Sequence, residues 1–223
     1  MSRAREDIRD VDARGRVLAV AAALAITVTA AACGSGSGSA TARIGGAAQG
    51  ISVEVPSSFS VLDMTSEATV VNSIAKLGLD LTAVDTLVPQ VKQLQQLRGA
   101  MAVDGKTATA SSGEFPDNIA AYCVNSGTDL TGSSAVATIE QKLRAEFGGL
   151  EVSDVSMDNI SVGGVPGAET TYLLNSNAGT LAAGQLAVAP RPGEFCYVTL
   201  TSASVVTITG SILSTAAQTA QFS

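Results

Sequence analysis

The sequence predicts an α+β fold in which helices cover a central, mainly antiparallel sheet. Two observations carry that prediction. From residue 151 to residue 202, β-type runs alternate with turns rich in Gly and Pro, and consecutive strands joined by such short turns must be antiparallel. Ahead of them, stretches at 65–78, 82–98 and 134–147 carry apolar residues at helical spacing behind Ser or Thr caps.

The chain opens with an address. Arg3, Arg5, Arg9, Arg14 and Arg16 precede sixteen uncharged residues, Val17 to Ala32, and the run closes on Ala30-Ala31-Ala32-Cys33. A basic start, an apolar run and small residues at its end are the pattern of an export signal. Three small residues before a cysteine also resemble the lipobox of bacterial lipoproteins, although Ala30 stands where that family usually has Leu. The resemblance implies cleavage before Cys33, a diacylglyceryl group on its thiol, and attachment to the outer face of the cell membrane. Two other readings stay open: an uncleaved anchor, or a signal cut elsewhere with Cys33 incidental. As a helix, the sixteen residues reach only about 24 Å, short of a hydrocarbon core of about 30 Å. No Arg-Arg pair supports export of a folded chain.

Three parts follow: a signal peptide at 1–32, a lipidated cysteine with a flexible Gly/Ser tether at 33–49, and a single globular domain at 50–223. The tether begins Gly34-Ser35-Gly36-Ser37-Gly38-Ser39, a composition that behaves as a coil. The net charge of the chain is −7. The signal carries five arginines and four acids, so the remainder is one unit more negative. Such a surface excludes nucleic acid, and anionic lipid offers it no electrostatic docking, which leaves the lipid on Cys33 as the expected membrane contact. Histidine is absent, and with it the commonest general base and metal ligand. Cys123 and Cys196 remain as an even pair in an oxidising compartment and invite a disulfide; two buried free thiols are the alternative.

Ile51, Val53 and Val55 alternate with polar residues as a strand, Pro56-Ser57-Ser58 turns the chain, and Phe59 and Val61 begin another strand. Thr65 or Ser66 caps a helix carrying Val70 or Val71, Ile74 and Leu77, which Gly78 stops. Thr82 and Asp85 start a second helix whose stripe runs through Val91, Leu94 and Leu97 to Gly99, interrupted by Pro89. Residues 100–103 and 119–124 read as strands flanking a long loop at 104–118. Val136, Ile139, Leu143 and Phe147 make the helix that Gly148-Gly149 ends. Strands are expected at 151–157, 160–163, 168–175, 180–189 and 194–202, broken by Gly163-Gly164-Val165-Pro166-Gly167 and Pro190-Arg191-Pro192-Gly193. Val205, Ile208, Ile212 and Ala216 fit a closing helix within 204–221.

The run Gly50-Ile51-Ser52-Val53-Glu54-Val55-Pro56 followed by Phe59 resembles the opening of PsbP-like domains. So does the later half: a capped helix at 134–147, the strand Val152 to Met157, the turn Gly163 to Gly167, a strand at 169–174 and the close Gln221-Phe222-Ser223. Lipobox, tether and domain together resemble actinobacterial lipoproteins of the LpqN type. The resemblance spans about residues 50 to 222. It implies a PsbP-like α/β/α sandwich and a non-enzymatic module that binds envelope proteins or cell-wall components. It transfers no catalytic residue, and the helical pair at 65–98 departs from the plainer PsbP pattern.

Candidate chemistry is thin. Ser73-Ile74-Ala75-Lys76 matches a Ser-x-x-Lys nucleophile pattern, yet its companion motifs are missing and two solvated residues on a helix explain it. Asp154 and Asp158-Asn159 lack the spacing of a calcium loop and read as a polar hairpin edge. Gly163 to Gly167 lacks the Gly-Lys-Ser/Thr close of a phosphate loop. Without histidine, neither a Ser-His-Asp nor a Cys-His site can be built. Asn159-Ile160-Ser161 is a glycosylation sequon with no meaning behind a bacterial lipoprotein signal. No catalytic residue, metal or cofactor is therefore expected. An apolar content of 46% with few aromatics also admits a second function, a carrier sheltering a lipid or glycolipid between sheet and helices.

Overall fold

The computed structural model describes residues 41–78, 88, 91–105, 116–125, 134–138, 141, 152–176, 179–203 and 211–223. Among the described residues ten strands form two sheets: β1 (Thr41–Gly46), β2 (Ile51–Pro56), β3 (Phe59–Val61), β4 (Ala100–Asp104), β5 (Asn118–Asn125), β6 (Val152–Val162), β7 (Val165–Ser176), β8 (Gly179–Arg191), β9 (Glu194–Ser202) and β10 (Gln221–Phe222). The larger sheet has the order β3-β4-β5-β9-β8-β7-β6 and the smaller β1-β2-β10. Every described pairing is antiparallel. Two helices are described in full, α1 (Glu67–Lys76) and α2 (Ser211–Thr219), and residues 91–97 and 134–138 are also helical. The class is the α+β one that the alternating runs predict.

Strand alternation sends successive side chains of the large sheet to opposite faces. Ala100, Ala102, Ile119, Ala121, Leu186, Val198 and Leu200 share a buried cluster with Ile44, Ile51, Val53 and Val55 of the small sheet and with Leu213, Ala216 and Ala217 of α2. A second cluster joins Met101, Val103, Ala120 and Tyr122 to Val70 and Ile74 of α1 and to Val91 and Leu94. A third sets Ala135 and Val136 with Ala168, Tyr172, Ala183, Ala187 and Phe195. Local signals place these elements. Ser66 caps α1 through a capping box with Thr69, and Gly78, at φ 75°, follows its end as expected of a stop glycine. Gly163 and Gly164 have φ of 57° and 84°, the two positive values that a two-residue hairpin between Val162 and Val165 requires.

Several expectations are corrected. The tether predicted for 33–49 gives way at Thr41, because Thr41–Gly46 pairs with β2 and its Ile44 is fully buried; one isoleucine and a two-residue alternation were enough to make a strand. The ordered domain thus begins before residue 50. The two strands on either side of the Pro56 turn are present as expected and lie in different sheets, β2 in the small one and β3 in the large one. The strands read at 151–157 and 160–163 are one strand, bent between Ser153 and Ser156, where Asp154 takes φ 52°. Pro166 lies inside β7, tolerated because the β7–β8 ladder begins only at Gly167. The layer over one face is a small sheet with α2, not helices alone. β10 was not anticipated: Gln221 and Phe222 are too short a run to announce a strand. The capping box at Thr82 and Asp85, Pro89, the distal part of the helix at 134–147 and residues 204–210 lie outside the described residues.

Candidate functional site

Cys123 and Cys196 stand directly opposite each other on the central strands β5 and β9 and form a disulfide, with Cα atoms 4.0 Å apart and a sequence separation of 73. Cys196 is fully buried. The turn between β1 and β2 sits over the bond, and a side chain on Gly50 would meet the Cys123 sulfur at 2.9 Å. Glu194 lies two residues before Cys196 on the same face, and one of its carboxylate oxygens groups with both sulfurs within 4.8 Å. Sulfurs bonded to each other are poor ligands, so the oxidised pair is a covalent staple and no metal centre. The Arg191 Nε is 2.6 Å from Glu194 Oε2, an ion pair across the hairpin turn. Cys33 lies outside the described residues.

An open cleft of about 520 Å³ lies between the β1–β2 turn, the start of α1 and the end of the 91–97 helix. Met64 and Gln95 line it, tied by a 2.9 Å hydrogen bond from Gln95 Nε2 to the Met64 carbonyl. Arg98 stands at its edge in a left-handed conformation, φ 54°, and a side chain on Gly99 beside it would press on the Leu94 side chain, 2.7 Å away. Ser66 at the rim is occupied in capping, its Oγ accepting from the Thr69 N–H at 3.2 Å. Thr65 donates through its N–H and hydroxyl to Asp63, 3.0 and 2.7 Å away. These two bonds, the backbone one first, hold the Asp63 carboxyl below its ordinary value. These groups can hydrogen-bond a ligand.

Two further features are electrostatic. Asp158 on β6 and Glu169 on β7 are register partners, so two carboxylates face the same side of the sheet. Partial burial and then the Asp158 charge raise the Glu169 carboxyl above its ordinary value. On the face beneath the helices, Thr170, Gln185 and Thr199 run across β7, β8 and β9 as neighbours, all buried. Gln185 Nε2 reaches Thr199 Oγ1 at 3.4 Å, while Gln185 Oε1, Thr170 Oγ1 and Asn118 Oδ1 have no hydrogen-bond partner.

The sequence motifs fall out differently. Ser73 Oγ donates back to the Thr69 carbonyl at 2.8 Å, the ordinary state of a helix serine. Asp154 sits at the β6 bend and Asp158 and Asn159 within the strand, so the three residues make a strand edge and no loop. The buried polar row escaped the sequence reading. Its signal was present in Gln185, which shares the inward parity of Ala183 and Ala187.

No family model matches the sequence, and neither does any curated protein. Solved structures similar to this chain include LpqN of Mycobacterium tuberculosis, described as involved in cell envelope biogenesis, at 16% identity over 78% of this chain and 83% of that one, with a TM-score of 0.48. The cyanobacterial PsbP of Synechocystis sp. PCC 6803 aligns at 11% identity over 86% and 98%, with a TM-score of 0.43. The Saccharomyces cerevisiae Ran-binding protein Mog1p aligns at 8% identity over 83% and 96%, with a TM-score of 0.45.

Proposed function

We propose that the chain is an extracytoplasmic lipoprotein, held by a lipid on Cys33 to the outer face of the cell membrane, whose domain binds an envelope protein or cell-wall component without catalysing a reaction. The fold we assign it is the PsbP-like sandwich that the sequence resembles. The observation that carries this reading is the Cys123–Cys196 bond, because a disulfide between central strands belongs to an oxidising compartment and agrees with the address ending at Cys33. Scattered acids and capped or back-bonded serines among the described residues supply binding surface more readily than acid–base chemistry. Two measurements test it. Intact mass of the membrane-extracted protein, before and after reduction, reads the lipid on Cys33 and the disulfide together; an unmodified Cys33 thiol sinks the anchor. Capture from envelope extracts that returns nothing above a surface-scrambled control sinks the binding role.

A second reading, a carrier of a lipid or glycolipid between sheet and helices, draws support from the unpartnered atoms of Thr170 and Gln185 near Ala168, Ala183 and Ala187. Buried polar atoms without partners are rare, and a ligand hydroxyl would satisfy them. Native mass spectrometry decides: an adduct of lipid mass favours the carrier, and bare protein rejects it.

A further inference from the structure

We propose that the free edge of β6, from Ser156 to Ser161, receives an extended segment of a partner protein bearing Lys or Arg, which adds to the large sheet as an eighth strand. The inference deepens the reading of the domain as a protein-binding module and rests on it.

The two edges of the large sheet are unequal. One is β3, three residues long, and the other is β6, eleven residues long, whose strand neighbour among the described residues is β7 alone. An edge strand presents backbone N–H and C=O groups on its outer side, and strand addition uses them. Most β6 side chains are exposed, and Val155 is the one large exposed hydrophobic among the described residues. The irregularity between Ser153 and Ser156 interrupts the ladder near the start of the strand, as edge bulges do. Beyond it the register with β7 runs unbroken from Ser156 to Val162, giving a straight template.

Charge selects the occupant. Asp158 and Glu169 are like charges placed opposite each other, an arrangement that destabilises a sheet, and no ion pair among the described residues neutralises either. A second copy pairing antiparallel about Asp158 would bring the two Asp158 carboxylates together, and a net charge of −7 adds to the repulsion. A basic strand meets the opposite situation. A lysine or arginine across from Asp158 would have its Cβ about 5 Å away, with a stem long enough to lean towards Glu169. The acids that reject self-association therefore admit a cationic partner, which is selection by charge.

The test uses the full chain and a labelled peptide of four Lys-Val repeats, with binding read by fluorescence anisotropy. Three outcomes support the proposal. The peptide binds, its fully backbone-N-methylated counterpart binds at least about tenfold more weakly because it has lost every N–H donor, and a Glu-Val peptide does not bind. Asp158→Asn and Glu169→Gln each weaken binding about two- to fivefold, and Asp158→Lys transfers preference to the Glu-Val peptide. Equal binding of the N-methylated peptide overturns the proposal, as does no binding of the Lys-Val peptide, or a concentration-dependent dimer of the chain that excludes the peptide. If a variant fails to fold, the peptide comparison on the unaltered chain still decides. An envelope partner whose capture ignores Asp158→Lys sinks this inference and leaves the module reading intact; peptide binding at β6 with no envelope partner does the reverse.

Discussion

Gly50 lies in contact with Cys123: a Cβ on Gly50 would be 2.9 Å from the Cys123 sulfur and 3.1 Å from its Cβ. The glycine also has φ of 75°, so an alanine there meets both backbone strain and the disulfide. Gly50→Ala is expected to cost about 1–3 kcal/mol in a denaturant melt. Combined with Cys123→Ala and Cys196→Ala, its cost should shrink, because the sulfur it strikes is gone while the φ strain remains. Strict additivity would show that the contact is immaterial.

The disulfide itself closes a separation of 73 residues across the middle of the large sheet. In the chain-entropy account a loop of that size stabilises the folded state by about 4 kcal/mol. Cys123→Ala with Cys196→Ala should lower stability by roughly that amount, and adding a thiol reductant to the double variant should change nothing further. A melt that is insensitive to reduction in the unaltered chain would contradict the expected loss.

Glu169 and Asp63 respond to pH in opposite senses. The Glu169 carboxyl is raised by burial and by Asp158, so the folded state holds that proton more tightly than the unfolded chain does. Its contribution therefore favours folding at low pH and is lost as pH rises from the ordinary value of 4.5 through the raised one. Asp63 is lowered, so its contribution is present above the ordinary value of 3.8 and is lost as pH falls through the lowered one. Glu169→Gln should raise stability at neutral pH and remove the loss above 4.5. Asp158→Asn should bring the Glu169 titration, followed by NMR, down towards the ordinary value; an unmoved titration would leave burial as its sole cause.

Much of this fold is legible in the residues, for identifiable reasons. The α1 helix, the β4 and β5 strands and the meander from β6 to β9 are local patterns: a Ser66 cap, a Gly78 stop, alternating parity and turn glycines. What was not legible depends on which strands pair and in what register. β1 and β10 exist because each finds β2 as a partner, and neither Thr41–Gly46 nor Gln221–Phe222 has enough apolar residues to declare itself. The turn at Pro56 is legible, but not that it carries the chain from one sheet to the other. The Cys123–Cys196 pairing could be anticipated by counting, whereas the Asp158–Glu169 opposition needed the β6–β7 register.

Neighbouring glycines of the β6–β7 turn should tolerate substitution unequally. Both have positive φ, so either alanine variant carries the backbone penalty of about 1 kcal/mol. Around Gly164 there is nothing within 4 Å of an added Cβ. Gly163 donates its N–H to the Ala217 carbonyl at 2.7 Å, and its Cβ would lie 2.5 Å from the Ala220 carbonyl oxygen. Gly163→Ala should therefore cost clearly more than Gly164→Ala and should loosen the end of α2, read as faster amide exchange there. Equal costs would mean that the hairpin is not anchored on α2.

Thr170 offers a test of what its surroundings hold. Its hydroxyl is fully buried with no partner, a state that costs about 1–3 kcal/mol when nothing satisfies it. Valine has nearly the same shape without the hydroxyl, and it keeps the β-branched side chain that β7 favours. Thr170→Val in the purified, ligand-free chain should raise stability by about 1 kcal/mol, since removing an unsatisfied group recovers its desolvation cost. Were the hydroxyl satisfied by a bound molecule that copurifies, the same change would lower stability and release that molecule, which native mass spectrometry would detect as a lost adduct. The sign of this one shift thus separates a filled polar row from an empty one, because packing alone cannot produce both results.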